Sequence, residues 1–251
     1  MNILKSVAFI FIFITVATCA QKNKEEISIN NIDIDYKYEM IISDLESPWG
    51  FTWLPDGSML ITEKSGELIH FKNSIKTKIK NIPQVYLRGQ GGLLDIALHP
   101  DYKTNGWLYL TYSSSLGEGK GGNTTLSRAK LNGDSLTNLE VLYKAVPNTT
   151  TSNHFGSRIV FDNKGYIYFS MGERGRREVN PQDITRDGGK IYRFNADGSI
   201  PKQNPFVNKK GAKKGIYSYG HRNPQGMIKH PITGEIWAHE HGPQGGDEIN
   251  I

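Results

Sequence analysis

Four times along the chain an apolar run meets a Pro-, Asp- or Asn-containing turn that ends in glycine, then gives way to a second apolar or aromatic run. The copies are residues 50–63 (GFTWLPDGSMLITE), 96–112 (IALHPDYKTNGWLYLTY), 159–172 (IVFDNKGYIYFSMG) and 227–240 (MIKHPITGEIWAHE). Their turn glycines, Gly57, Gly106, Gly165 and Gly234, recur at intervals of 49, 59 and 69 residues. Glycine there supplies the positive φ that a tight hairpin needs. In 107–112 and 166–171 the runs after the turn read as strands whose successive residues face opposite sides of a sheet. Strand pairs at this long period, with no comparable helical period between them, predict an all-β chain built as a β-propeller of small four-stranded blades. A β-sandwich would instead show turn signals every ~8–12 residues with no longer period. Four blade signatures are visible. The spans between them, 113–153 and 174–226, are the expected carriers of function.

Composition narrows the partners. The 27 glycines in 251 residues suit a turn-rich chain, and one cysteine excludes an internal disulfide framework or a Cys-based zinc or iron–sulfur site. A net charge of +5 is mild for this length and implies no nucleic acid. The basic run 209–214 has no interleaved aromatics and reads as a solvated loop. Gly119–Gly122 lacks the spacing of a phosphate loop. Asn123 and Asn148 each begin a glycosylation sequon, a short pattern with a high chance rate.

The start of the chain reads as an address. Lys5 precedes a ten-residue apolar stretch, Val7–Val16, too short for a membrane-spanning helix, which needs about 20 residues, and suited to a signal peptide. Residues 1–18 are therefore expected to be a removed leader. Cys19, after Val16-Ala17-Thr18, resembles the acylated cysteine of bacterial lipoproteins, although Thr18 stands where Gly or Ala is usual. Residues 19–40 then form a polar tether and lead-in, and the propeller occupies 41–251. The expected destination is export, to the periplasm or to a membrane through a lipid anchor.

Three clusters could carry chemistry. His154 precedes the strand at 159, and an imidazole there could serve as a general base or as an ordinary hydrogen-bonded loop residue. The hairpin 159–172 returns the chain to its starting end, which places Glu173 beside His154, where a carboxylate would orient the ring. Residues 219–226 (YGHRNPQG) offer Arg222, a fork of donors suited to carboxylates and ring carbonyls, between glycines. In 239–248, His239 and His241 lie two apart on a strand and could pair on a transition metal, without a convincing third ligand. The Gly-Pro turn followed by Asp247 and Glu248 suits calcium better, through carbonyls and carboxylates.

Taken together, residues 47–57 (SPWGFTWLPDG), 89–102 (GQGGLLDIALHPDY), 153–161 (NHFGSRIVF), 188–206 (GGKIYRFNADGSIPKQNPF), 219–226 and 241–250 (HGPQGGDEIN) resemble, in order, the soluble pyrroloquinoline-quinone (PQQ) sugar dehydrogenases, also called the glucose/sorbosone dehydrogenases, and among them the bacterial aldose sugar dehydrogenases. The resemblance implies a six-bladed propeller, of which about four blades are present and the C-terminal part is missing. It implies oxidation of an aldose at the anomeric carbon to the lactone, with PQQ and Ca²⁺ as cofactors and an electron acceptor of unspecified type. His154 matches the base, Glu173 its orienting carboxylate (Asp in many relatives), and Gln90 a substrate-side glutamine. Arg222 and Asn223 match PQQ contacts, Gly242 and Pro243 the carbonyls that hold the activating Ca²⁺, and Glu248 a ligand of a further calcium. A non-catalytic propeller that holds a glycan or protein, an inactive fragment, and a Ca²⁺-dependent lactonase or esterase are the competing readings.

Overall fold

The computed structural model describes residues 36–251. The expected leader, the lipidation site at Cys19 and most of the tether lie outside the described residues. Among those described, Ile42–Ile251 form one compact unit, and no helix is long and apolar enough to cross a membrane.

Among the described residues, fifteen strands form four antiparallel sheets. The first holds β1 (Pro48–Trp53), β2 (Met59–Glu63), β3 (Glu67–Lys72) and β4 (Ile75–Lys78). The second holds β5 (Leu93–Leu98), β6 (Trp107–Ser114), β7 (Asn123–Asn132) and β8 (Ser135–Lys144), with the one-turn helix α1 (Tyr102–Asn105) between β5 and β6. The third holds β9 (Ile159–Phe161), β10 (Ile167–Met171), β11 (Lys190–Phe194) and β12 (Ile216–Tyr219). The fourth has three strands, β13 (Pro224–Lys229), β14 (Ile236–Glu240) and β15 (Glu248–Asn250). Each sheet is a blade of a β-propeller, and the four repeats of the sequence are the hairpins joining the first two strands of each blade. Gly57, Gly106, Gly165 and Gly234 all adopt positive φ, from 70° to 82°.

Alternation along the strands sorts side chains between neighbouring blades. On β6, Leu108 and Leu110 join Leu60, Leu68 and Leu93 in the core between the first two blades, whereas Tyr109 points into the core between the second and third with Phe169 and Tyr192. On β10, Ile167, Phe169 and Met171 face that second core while Tyr168 meets Ile191 and Met227 against the fourth blade. Both faces are thus buried, which is why these runs are apolar throughout rather than half polar. Of the spans expected to be functional loops, 113–153 carries the long outer strands β7 and β8, whereas 174–226 is mostly loop around the short strands β11 and β12. The polar residues Asn123, Thr124, Thr125 and Ser127 of β7 and Lys190 of β11 are buried rather than turned to water.

The first strands pack successively on one another, β1 on β5, β5 on β9 and β9 on β13. Where they converge, Arg158 joins all four blades. It donates from Nη1 to Asp95 Oδ1 at 2.8 Å and from Nε to the Gln225 carbonyl at 3.0 Å, and its guanidinium lies 4.5 Å from the Trp49 ring centre. Asp95 also accepts the Ile159 N–H at 2.8 Å, and a side chain at Gly50 would strike its Oδ1. No sequence pattern marks this junction, although Trp49, Asp95 and Arg158 lie in the stretches that carry the resemblance.

A second lock closes the long segment 172–189 over the third blade. Lys190 is fully buried and donates to the carbonyls of Asn180 (2.6 Å), Gly188 (2.7 Å) and Pro181 (3.0 Å). Lys190→Met would orphan three buried carbonyls and is expected to cost about 3 kcal/mol in urea unfolding. Burial pulls this ammonium down to about 8, while the unfolded chain keeps its proton to about 10.5. The group therefore adds stability as pH rises between those values, and the variant should show a shallower rise there.

The sequons are occupied by the fold itself. Asn123 and Asn148 are buried, and their amides donate to the carbonyls of Pro147 and of Ser115 and Leu116 respectively.

Candidate active site

The chemical residues sit just ahead of the first strands, at one end of the propeller. Gln90 precedes β5, His154 precedes β9, and Arg222 and Asn223 immediately precede β13. Hairpin closure brings Glu173, two residues past β10, under His154 as the sequence predicts. Glu173 Oε1 hydrogen-bonds His154 Nδ1, so the extra methylene relative to aspartate is accommodated. His154 is 9% exposed and Glu173 2%, and Glu173 Oε2 has no partner among the described residues.

The segment carrying His154 is held in an unusual backbone. His154 and Ser157 have φ of 58° and 94°, and Arg174, opposite, has 59°. Such values persist only where the surroundings over-determine them, and they concentrate at functional sites. Here the surroundings are specific. Gln90 Oε1 accepts the His154 N–H at 2.7 Å, and Asn223 Oδ1 accepts the Gly156 N–H at 3.0 Å. Gly172 packs so closely that any Cβ would overlap the His154 carbonyl. Buried Arg174 bonds the carbonyls of Asn153 and Thr151 and stacks 3.5 Å from the Phe155 ring centre. With Nδ1 committed to the carboxylate, Nε2 is the accepting nitrogen, engaged within the described residues by one long bond from the Asn153 Nδ2 at 3.3 Å.

Arg222, Gly242, Pro243 and Glu248 line a cavity of about 210 Å³ with Arg177 and Gln182, two residues the sequence had not singled out. Arg222 donates from Nη1 to the His241 carbonyl at 3.0 Å, and its own carbonyl accepts the Glu173 N–H at 2.8 Å, which ties this cavity to the histidine. Asn223 is only 2% exposed, and its Oδ1 serves Gly156, so it braces the His154 segment rather than opening into the cavity. Gln90 likewise acts on the histidine backbone. A larger cavity, about 790 Å³, lies at the opposite ends of the first strands, between Trp53, His99, Phe161 and Lys229, away from this chemistry.

His239 and His241 have separate surroundings. His239 packs over Gly226, where a Cβ would meet its Nε2, while exposed His241 lies 3.8 Å from Asp247. Among the described residues no three His, Cys, Asp or Glu side chains gather to hold a metal. A cation here would depend on main-chain oxygens, and the 242–248 turn supplies them. It folds so tightly that a Cβ on Gly242 would meet the carbonyls of Gly245 and Gly246, and Asp247 Oδ1 accepts the Gly242 N–H at 2.7 Å. The donors this turn offers, main-chain carbonyls with Asp247 and Glu248, are hard oxygens of the kind calcium takes.

A model of the Glucose / Sorbosone dehydrogenase family matches residues 45–251. The chain belongs to that family. It is 41% identical over 218 residues to aldose sugar dehydrogenase YliI of Escherichia coli, covering 85% of this chain and 58% of the relative. It is 32% identical to quinoprotein glucose dehydrogenase B of Acinetobacter calcoaceticus, covering 86% of this chain and 50% of that one. The PQQ-bound aldose sugar dehydrogenase of Streptomyces coelicolor superposes with a TM-score of 0.73 at 31% identity, over 84% of this chain and 61% of that one. The chain thus spans about half to three-fifths of the length of these relatives.

Proposed function

We propose that this chain is part of an exported PQQ- and Ca²⁺-dependent dehydrogenase that oxidises aldoses at the anomeric carbon to the lactone. The observation that carries the reading is the His154–Glu173 pair, buried and held in a strained backbone beside an Arg222-lined cavity. Glu173 fixes the tautomer by accepting from Nδ1, which leaves Nε2 to take the proton of the anomeric hydroxyl as hydride departs from the same carbon. When bound, the quinone supplies the hydride acceptor. Arg222 would hold it and stabilise negative charge developing on its oxygen, since a guanidinium is a planar, permanently charged donor. Gly242 and Pro243 would hold the activating Ca²⁺ through their carbonyls, and Glu248 a further calcium. Gln90 and Asn223 keep the histidine segment rigid, so that Nε2 meets substrate without reorganisation.

The test is reconstitution of the intact protein with PQQ and Ca²⁺. Dye reduction with aldoses, abolished by a calcium chelator, is the expected result, and no reduction overturns the reading. Export and acylation at Cys19 are part of the same proposal. Cys19→Ser is expected to move the protein from the membrane fraction to the soluble one, and an unchanged distribution would remove the anchor.

A further inference from the structure

The His154–Glu173 pair has a double one blade further on. His221 and Glu240 are also 19 residues apart, and they are also joined from Nδ1 to a carboxylate oxygen, at 2.8 Å. The two pairs occupy equivalent places, ahead of the first strand and at the end of the second strand of consecutive blades. Their unused atoms differ. His154 keeps Nε2 free of any strong partner, and Glu173 keeps one oxygen unbonded. His221 Nε2 is engaged by Ser218 Oγ at 2.8 Å. Both oxygens of Glu240 are taken, Oε1 by His221 and by Asn250 Nδ2 (3.2 Å), and Oε2 by the backbone N–H groups of Arg222 (2.5 Å) and Asn223 (3.0 Å). The first arrangement leaves valences for chemistry, and the second leaves none.

We propose that Glu240 is the positioning residue that locks the Arg222–Asn223 segment to the Gly242–Pro243 turn, so that ordering of the turn by a cation is transmitted to the segment. The covalent side of the lock is direct, because Glu240 ends β14 and the chain continues through His241 into Gly242 and Pro243. The non-covalent side is the carboxylate, 5% exposed, on two consecutive amides of the segment that carries Arg222. Arg222 closes the loop by donating to the His241 carbonyl. Glu63 shows the same device at the end of β2, where its oxygens accept the Glu46 and Ser47 N–H groups (3.0 and 2.6 Å) at the entry to β1. There no cation-suited turn follows, so Glu240 alone joins two functional segments.

The inference rests on reading the 242–248 turn as a calcium site and Arg222 as a cofactor contact, and its test separates the two. Amide hydrogen exchange at Arg222 and Asn223 is measured in the intact protein, without PQQ, with and without Ca²⁺. Wild type should show calcium slowing exchange at both amides. Glu240→Leu removes both accepting oxygens, and it should raise exchange at both by at least tenfold and abolish the calcium protection, with amides of Leu110 and Phe169 unchanged. Glu240→Asp, which keeps both oxygens, should restore part of the protection. Absence of calcium protection in wild type, or its survival in Glu240→Leu, overturns the proposal. PQQ affinity, titrated separately on wild type, judges the cofactor reading alone; failure to bind PQQ would sink that reading and leave the exchange result to decide Glu240.

Discussion

His154→Asn is expected to lower turnover with aldoses by about 10²–10⁴-fold while PQQ remains bound, measured as dye reduction at saturating sugar and cofactor. Asparagine is the informative replacement because His154 sits at φ 58°, a region that Asn tolerates better than Ala. The Gln90 bond to its N–H is a backbone contact and survives the change. What is lost is the acceptor at Nε2. Without it the hydroxyl proton has no base as hydride leaves, so the loss belongs in kcat rather than in cofactor affinity. Glu173→Gln acts on the same proton from the other side. A carboxamide can donate to Nδ1, which favours the tautomer with Nε2 protonated, and a fall of about 10²-fold or more is expected. Turnover that survives His154→Asn within a factor of ten would assign the pair a structural part.

The proximity of this pair was legible because it depends on one hairpin. Any hairpin over 159–172 returns residue 173 to the level of the residues before 159. The turn glycines fixed the blades for the same local reason, and strand alternation assigned side chains to one inter-blade core or the next. The rest depends on partners from different blades. Asp95 and Arg158 are 63 residues apart, and no local pattern announces that pairing. The bracing of the His154 backbone by Gln90 and Asn223, which the resemblance did not carry, was hidden for a related reason. A motif names the residue, but which of its atoms are spent on neighbouring backbone is decided by packing. Glu240 did leave a trace, the 19-residue His–Glu interval repeated in consecutive blades, visible once the hairpins are aligned.

The junction at Arg158 is where stability is most exposed to one substitution. Arg158→Met keeps an unbranched apolar side chain and removes the guanidinium over Trp49, the bond to the Gln225 carbonyl and the partner of Asp95. The Asp95 side chain is 4% exposed, so solvent cannot take the place of the guanidinium. Breaking a buried pair from one side leaves an uncompensated charge, and a loss of about 3–5 kcal/mol in urea unfolding at pH 7 is expected. The pH dependence identifies the cause. Burial already pushes the Asp95 carboxyl above its ordinary range against the opposing pull of Arg158, and removing Arg158 pushes it further. A carboxyl raised in the folded state makes folding less favourable as pH climbs from its unfolded value of 3.8 through its folded one. The variant should therefore recover part of its lost stability on acidification from neutral pH, where wild type gains less. Adding Asp95→Asn to Arg158→Met removes the stranded charge and should restore stability relative to the single variant, a coupling that a double-mutant cycle measures directly. A loss below about 1 kcal/mol with no pH slope would instead make the pair equivalent to one at the surface, and the four blades would be held by their apolar faces alone.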